Sequence, residues 1–150
     1  MSKLSKILSK LNEKAFLPTP WLNALEWACA DALTLNPDLL ANLEMKEVSV
    51  DELVPTQLAR DEETVAKYAK DGVFDGSLCF SRGGTTYIYD GHHRFSSAQR
   101  AGKEKIKAYV IDLGDGEVSL KRFARKIKQS PEDIVKSMSN ENKRHYEGLV

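Results

Sequence analysis

The segment Tyr87-Ile88-Tyr89-Asp90-Gly91-His92-His93-Arg94 constrains this chain more than any other part of it. Aromatic and β-branched residues predict a strand that stops at Asp90. A helical pattern through Phe95, Ala98 and Ala101 begins within two residues and closes on Gly102. A strand that passes into a helix over so short a link needs a sharp turn. Gly91 allows that turn and lets a ligand approach the backbone without meeting a Cβ. The next amides, of His92, His93 and Arg94, are then the first N–H groups of a helix, which have no intrahelical partner.

The hydrophobic pattern organises the rest around that junction. Paired glycines in Arg82-Gly83-Gly84-Thr85, between Leu78-Cys79-Phe80 and Tyr87-Ile88-Tyr89, predict a hairpin. Glu47 to Val50 alternates as a half-buried strand, and residues 51–55 turn out of it. Asp61 to Lys70 has an acidic start and sets Val65, Tyr68 and Ala69 on one side, as a helix does. Ile106 to Ile111 is a third strand region, ended by Gly114-Asp115-Gly116. Two helices follow, Ser119 to Lys128 and Pro131 onward, the second capped by Ser130. The first 45 residues read as helical. Leu4, Ile7, Leu8 and Leu11 recur at helical spacing among Lys3, Lys6, Lys10 and Lys14. Thr19-Pro20 marks the start of a helix through Trp21, Leu25, Ala28 and Leu33, and Asn36-Pro37 that of a shorter one reaching Leu43. A basic amphipathic helix can lie on a membrane surface; more often its leucine face docks on the domain, on a second copy or on a protein partner.

Composition removes several classes. A chain of 150 residues suits one domain. No apolar run approaches the ~20 residues that span a bilayer, and the N-terminal residues lack the apolar block of a secretory signal. Cys29 and Cys79 sit in apolar surroundings, as reduced core thiols of a cytoplasmic protein do. Equal numbers of cationic and acidic residues, 22 each, argue against tight, indiscriminate nucleic-acid binding.

The residues of the junction converge on one chemistry. A helix N-terminus attracts anions through its donors and its dipole. Arg94 adds a fork-shaped cation suited to phosphate. His92 and His93 add donors that exchange protons near neutral pH. Asp90 can hold a divalent cation that bridges phosphates, or accept a proton from a hydroxyl. Taken singly, Asp-Gly is an ordinary turn and Arg94 an ordinary solvated cation; together the five describe a phosphate site. Two adjacent histidines diverge, and the third histidine, His145, is far along the chain, so the pattern does not describe a dedicated zinc site.

Asp90-Gly91-His92-His93-Arg94, followed by Ser97-Ala98 and Ala101-Gly102, resembles the signature of the ParB/sulfiredoxin-like superfamily. The setting over residues 46–113 is similar too, from Val50-Asp51-Glu52-Leu53-Val54-Pro55 to the closing strand through Ile111-Asp112. The resemblance implies a small mixed sheet and a nucleotide phosphate held by this turn and helix. Members include nucleotide-hydrolysing partition proteins, nucleases, sulfinic-acid reductases and free-serine kinases. Sulfiredoxins carry their reactive Cys where this chain has His92, which sets sulfinic-acid reduction aside. Partition proteins usually show a Glu-Arg pair where this chain has His92-His93. The Asp-Gly-His-His-Arg form looks most like the free-serine kinases and small, often phage-encoded, ParB-like proteins. Those kinases rely on a Glu near the place of Gln57, and a Gln orients a hydroxyl but takes no proton from it.

Lys121, Arg122, Arg125, Lys126 and Lys128 make a run of five cations without an acid. With the helix after Ser130 they have a faint helix-turn-helix look, although Glu132 and Asp133 would stand where bases are read. The expectation is therefore a single α+β domain: a helical extension over 1–45, a ParB/sulfiredoxin-like core over 46–113 and C-terminal helices over 114–150 packed on it. Its function would be binding of a nucleotide (ATP, ADP or CTP) with Mg²⁺-assisted phosphoryl-transfer or phosphate-ester hydrolysis. Gly91, His92, His93 and Arg94 would hold phosphate, Asp90 the metal or a nucleophile. His92 or His93 would move protons, and Thr56 and Gln57 would touch the second substrate. The alternative is a non-enzymatic module binding DNA through the basic helix, or a protein partner.

Overall fold

A computed structural model of the chain describes residues 22–57 and 60–150. The expected Leu4–Leu11 helix and the Thr19-Pro20 start lie outside these residues. Helix α1 (Ala24–Leu35) begins at an Asn-x-x-Glu capping box. The Asn23 side chain accepts from the Glu26 amide at 2.8 Å, and Glu26 accepts from the Asn23 amide at 2.9 Å. Two donors without intrahelical partners are thus satisfied reciprocally. Asn36-Pro37 starts only a 3-10 turn, Pro37–Leu40, rather than a helix to Leu43. Leu39 and Leu40 are buried there, and two residues on the Asn42 side chain donates to the Lys128 carbonyl at 2.8 Å.

Five strands form one mixed sheet in the order β1-β5-β3-β4-β2. They are β1 (Lys46–Ser49), β2 (Leu53–Pro55), β3 (Ser77–Arg82), β4 (Thr85–Asp90) and β5 (Lys105–Asp112). β1 runs antiparallel to β5 with Val48 opposite Ile106, and β2 runs parallel to β4 with Pro55 opposite Ile88. Residues 53–55, expected in a turn, are therefore a strand. Leu53 buries its side chain in the core, and Pro55, which has no N–H to donate, is tolerated at the sheet edge. Gly83 and Gly84, at φ 59° and 82°, form the two-residue hairpin turn between β3 and β4.

Contacts group the chain into two units. The first holds residues 45–80 and 85–110 of the described chain, including α2 (Glu62–Asp71) and α3 (His92–Arg100). Val50, Leu53, Cys79, Ile88, Phe95, Ala98, Ile106 and Ala108 form its core, and α3 packs along α2. The second unit holds residues 22–44, 81–84 and 111–150. In it α1 packs against α4 (Leu120–Ile127) and α5 (Pro131–Lys136), with Phe123, Ile127 and Ile134 fully buried. The tail adds a third helix, α6 (Asn140–Tyr146), where two were expected, because Ser139 provides a fresh N-cap. Glu26 is fully buried in this unit, pairs with Arg82 and accepts from the Val118 amide at 3.1 Å. Cys29 and Cys79 are both free and buried, and burial pushes each thiol up to about 12. Such thiols stay protonated and unreactive at neutral pH. Among the described residues no helix is long and apolar enough to cross a membrane.

Candidate functional site

β4 ends at Asp90 and α3 starts at His92, so the junction is as tight as its sequence demands. Gly91 takes φ 90°, ψ 29°, a left-handed conformation costly for residues with a Cβ. Space forbids a side chain as well: a Cβ on Gly91 would lie 2.7 Å from Ser77 Oγ and 2.9 Å from Ser77 Cα. The bare Cα thus serves close packing of β3 against the turn. Ser77, itself fully buried, donates its hydroxyl to the Gly91 carbonyl at 3.0 Å. Gly91 brings no side chain to cap α3.

An open cleft of about 320 Å³ lies in front of this turn, in the first unit. Asp90, Gly91, His92, His93 and Arg94 line one side of it, and Gln57, Tyr68 and Gly76 complete it. Six of the residues singled out from the sequence are therefore brought together. Arg94 donates to the Asp75 carbonyl at 3.2 Å, and its guanidinium lies against Gly76 where a Cβ would collide with it. The Asp75-Gly76 pair is anchored in turn on β5. Asp75 Oδ1 accepts from the Lys107 amide at 2.9 Å, and the Gly76 amide donates to the Lys107 carbonyl at 2.9 Å. Asp90 is exposed at the cleft edge.

The two histidines differ sharply. His92 is 3% exposed. Its Nε2 accepts from the Thr56 amide at 3.1 Å and the Gln57 amide at 3.2 Å, while the ring also bonds the Ile88 backbone. An Nε2 that accepts two N–H groups carries no proton, so the ring is neutral with its hydrogen on Nδ1. Burial, then the nearby Arg60 and His93, lower its pKa from 6.5 to about 3. The sequence reading made His92 a proton-exchanging group; its geometry makes it a clamp between β4 and the segment after β2. Thr56 belongs to the same clamp. It is fully buried, donates its hydroxyl to the Ile88 carbonyl at 2.5 Å, and so stands behind the cleft rather than facing a second substrate. Gln57, half-buried, does reach the cleft.

His93 is only partly buried, and its Nε2 accepts from the Asp61 amide at 3.1 Å, at the N-cap of α2. The Thr64 hydroxyl lowers the pKa of the Asp61 carboxyl, with His93 adding to the effect. Asp61 bonds the Thr64 hydroxyl, Glu62 pairs with Arg100, and neither lines the cleft. Arg60 links the same segment to α3, donating to the Gln57 carbonyl and to Ser96 Oγ at 2.9 Å. Sequence reasoning passed over Arg60, Tyr68, Gly76 and Ser77. Asp75-Gly76 was a readable turn signal; Tyr68 read only as part of a helix's apolar side.

Lys121, Arg122, Arg125 and Lys126 lie on α4 and Lys128 is its left-handed C-cap, all in the second unit. Lys121, Arg122, Arg125 and Lys128 are exposed and Lys126 is half-buried. Among the described residues none of them is in an ion pair.

No protein-family model and no curated protein matches the chain. Among solved structures it is similar to a free serine kinase in complex with ADP (18% identity over 48% of this chain and 33% of that one, TM-score 0.42). It is also similar to sulfiredoxin from Arabidopsis thaliana (17% identity, 57% and 98%, TM-score 0.42). A third is the chromosome-partitioning protein ParB from Caulobacter crescentus complexed with CTP-gamma-S (17% identity, 68% and 83%, TM-score 0.39). The chain spans about a third of the length of the kinase structure.

Proposed function

We propose that the cleft at the β4–α3 junction binds the phosphate chain of a nucleotide and supports phosphoryl transfer or phosphate-ester hydrolysis. The observation that carries this reading is the convergence on one cleft of a helix start with no side-chain cap, the Arg94 guanidinium and the Asp90 carboxylate. The first amides of α3 and Arg94 hold the phosphates. Among the described residues no group of three or more His, Cys, Asp or Glu is placed to hold a metal. One carboxylate beside bound phosphates nevertheless suits Mg²⁺, which takes one or two protein carboxylates and completes its shell from phosphate and water. Asp90 would supply that ligand, and the ion would neutralise charge on the transferred group. His93 is the imidazole left to exchange protons, and Gln57 orients the second substrate. His92 and Thr56 hold Gln57 in place.

The test is a thermal-shift panel of ATP, ADP, CTP, GTP and inorganic phosphate, with and without Mg²⁺, on wild type and Arg94→Ala. A ligand at 100 times its Kd adds about 2.7 kcal/mol, or roughly 5–10 °C for a domain of this size. Arg94→Ala should lose that shift and still fold, because the hydrogen bond it removes, to the Asp75 carbonyl, is worth about 1 kcal/mol. An unchanged shift in the variant, or none in the wild type, refutes the site.

The exposed cations of α4 and its C-cap favour a second reading, a DNA-backbone contact. Lys121, Arg122, Arg125 and Lys128, in no ion pair among the described residues, would give a log–log salt slope of roughly −3 to −4. A slope near zero, or one unaltered by Arg122→Ala with Arg125→Ala, removes this reading. Glu132 and Asp133, in the first turn of α5, speak against base reading by that helix.

A further inference from the structure

Inorganic phosphate does not account for the whole cleft. At about 320 Å³ it falls within the range of small-molecule sites. The phosphate-binding groups occupy one side, Asp90 to Arg94. Among the described residues Tyr68, on α2, brings the one phenol ring to the cleft lining, beside the two imidazoles. Helical spacing explains its place. Val65, one turn earlier, is buried, whereas Tyr68 on the same stripe is only half-buried. Among the described residues its side chain makes no hydrogen bond and no ring contact, in contrast to Phe80 and Tyr89, which meet edge to face at 5.8 Å. A half-buried ring not engaged in the core, in a cleft with room beyond a phosphate, offers a flat apolar surface of the kind that nucleobases stack on.

We propose that Tyr68 is the stacking platform for the base of the bound nucleotide. This rests on the phosphate reading above and adds a second subsite to it. Stacking tolerates any base, because every base presents a π-face. The side-chain amide of Gln57 and the carboxylate of Asp90 are the polar side chains beside Tyr68 and the phosphate side that can read base or ribose edges. Tyr68 thus contributes affinity for nucleotides as a class, with discrimination among bases small.

The experiment is calorimetric titration of ATP, CTP and inorganic tripolyphosphate, all with Mg²⁺, into wild type, Tyr68→Phe, Tyr68→Leu and Arg94→Ala. Circular dichroism confirms that each variant is folded. Tyr68→Leu should weaken ATP and CTP about tenfold or more and leave tripolyphosphate unchanged, whereas Tyr68→Phe should bind as wild type. Equal weakening of all three ligands by Tyr68→Leu would show a structural effect on the cleft and overturn the proposal. So would unchanged nucleotide affinity. In either case tripolyphosphate binding lost in Arg94→Ala would leave the phosphate site standing. If the wild type binds neither tripolyphosphate nor nucleotide, the phosphate site falls and the Tyr68 platform with it.

Discussion

His92 makes the stability of this protein depend on pH in a calculable way. In the unfolded chain its imidazole titrates at its ordinary 6.5; in the folded protein burial and neighbouring cations bring it to about 3. Between pH 7 and pH 5 the unfolded state therefore takes up a proton that the folded state refuses. Stability is present in full above 6.5 and is lost as the pH falls toward 3. Two such pKa values give a loss of about 2 kcal/mol from pH 7 to pH 5, or roughly 4–8 °C in Tm. His92→Gln isolates this contribution. Its amide oxygen can take over acceptance from Thr56 and Gln57, but it carries no titrating group. At pH 7 the variant should be about 1 kcal/mol less stable than wild type, for the lost bond to the Ile88 backbone. That deficit should vanish and reverse as the pH falls to 5. Urea unfolding followed by circular dichroism at pH 7, 6 and 5 measures the difference, in which groups remote from His92 cancel. If the gap between the two proteins stays constant within about 0.5 kcal/mol, His92 accepts a proton in the folded state. The clamp geometry would then not hold.

Gly91→Ala forces a Cβ into a left-handed backbone and against Ser77, so it should cost about 2–5 kcal/mol; a loss below 1 kcal/mol in urea unfolding would mean that the turn relaxes. Glu26→Ala removes the carboxylate shared by Arg82 and the Val118 and Asn23 amides and should cost about 3 kcal/mol. A thermal melt within 2 °C of wild type would show that this buried pair contributes little.

The local elements were legible because their signals are local. The hairpin at Gly83-Gly84 needs two left-handed residues, and α3 stops where Gly102 can turn left-handed. The strand-to-helix turn at Gly91 was readable too, as was the clustering of Asp90, His93 and Arg94 around it, since residues within a run of five cannot part company. Segment 53–55 was not legible: its pattern is that of a turn, and pairing with β4 makes it a strand.

What the tertiary structure alone decided is the division of labour within the motif and around it. Side by side in sequence, His92 and His93 are chemically identical. Only the arrival of Thr56 and Gln57, some 35 residues away in the chain, buries one imidazole as a neutral acceptor and leaves the other at the cleft. Ser77 turns Gly91 from a matter of chain freedom into one of space. Tyr68 enters the cleft because α2 packs along α3. Likewise, the grouping of residues 22–44 with 111–150 joins segments far apart in the chain. Short-range preferences of residues settle which elements form. Which side chains meet depends on packing between segments distant in sequence, and those contacts set burial, protonation and access.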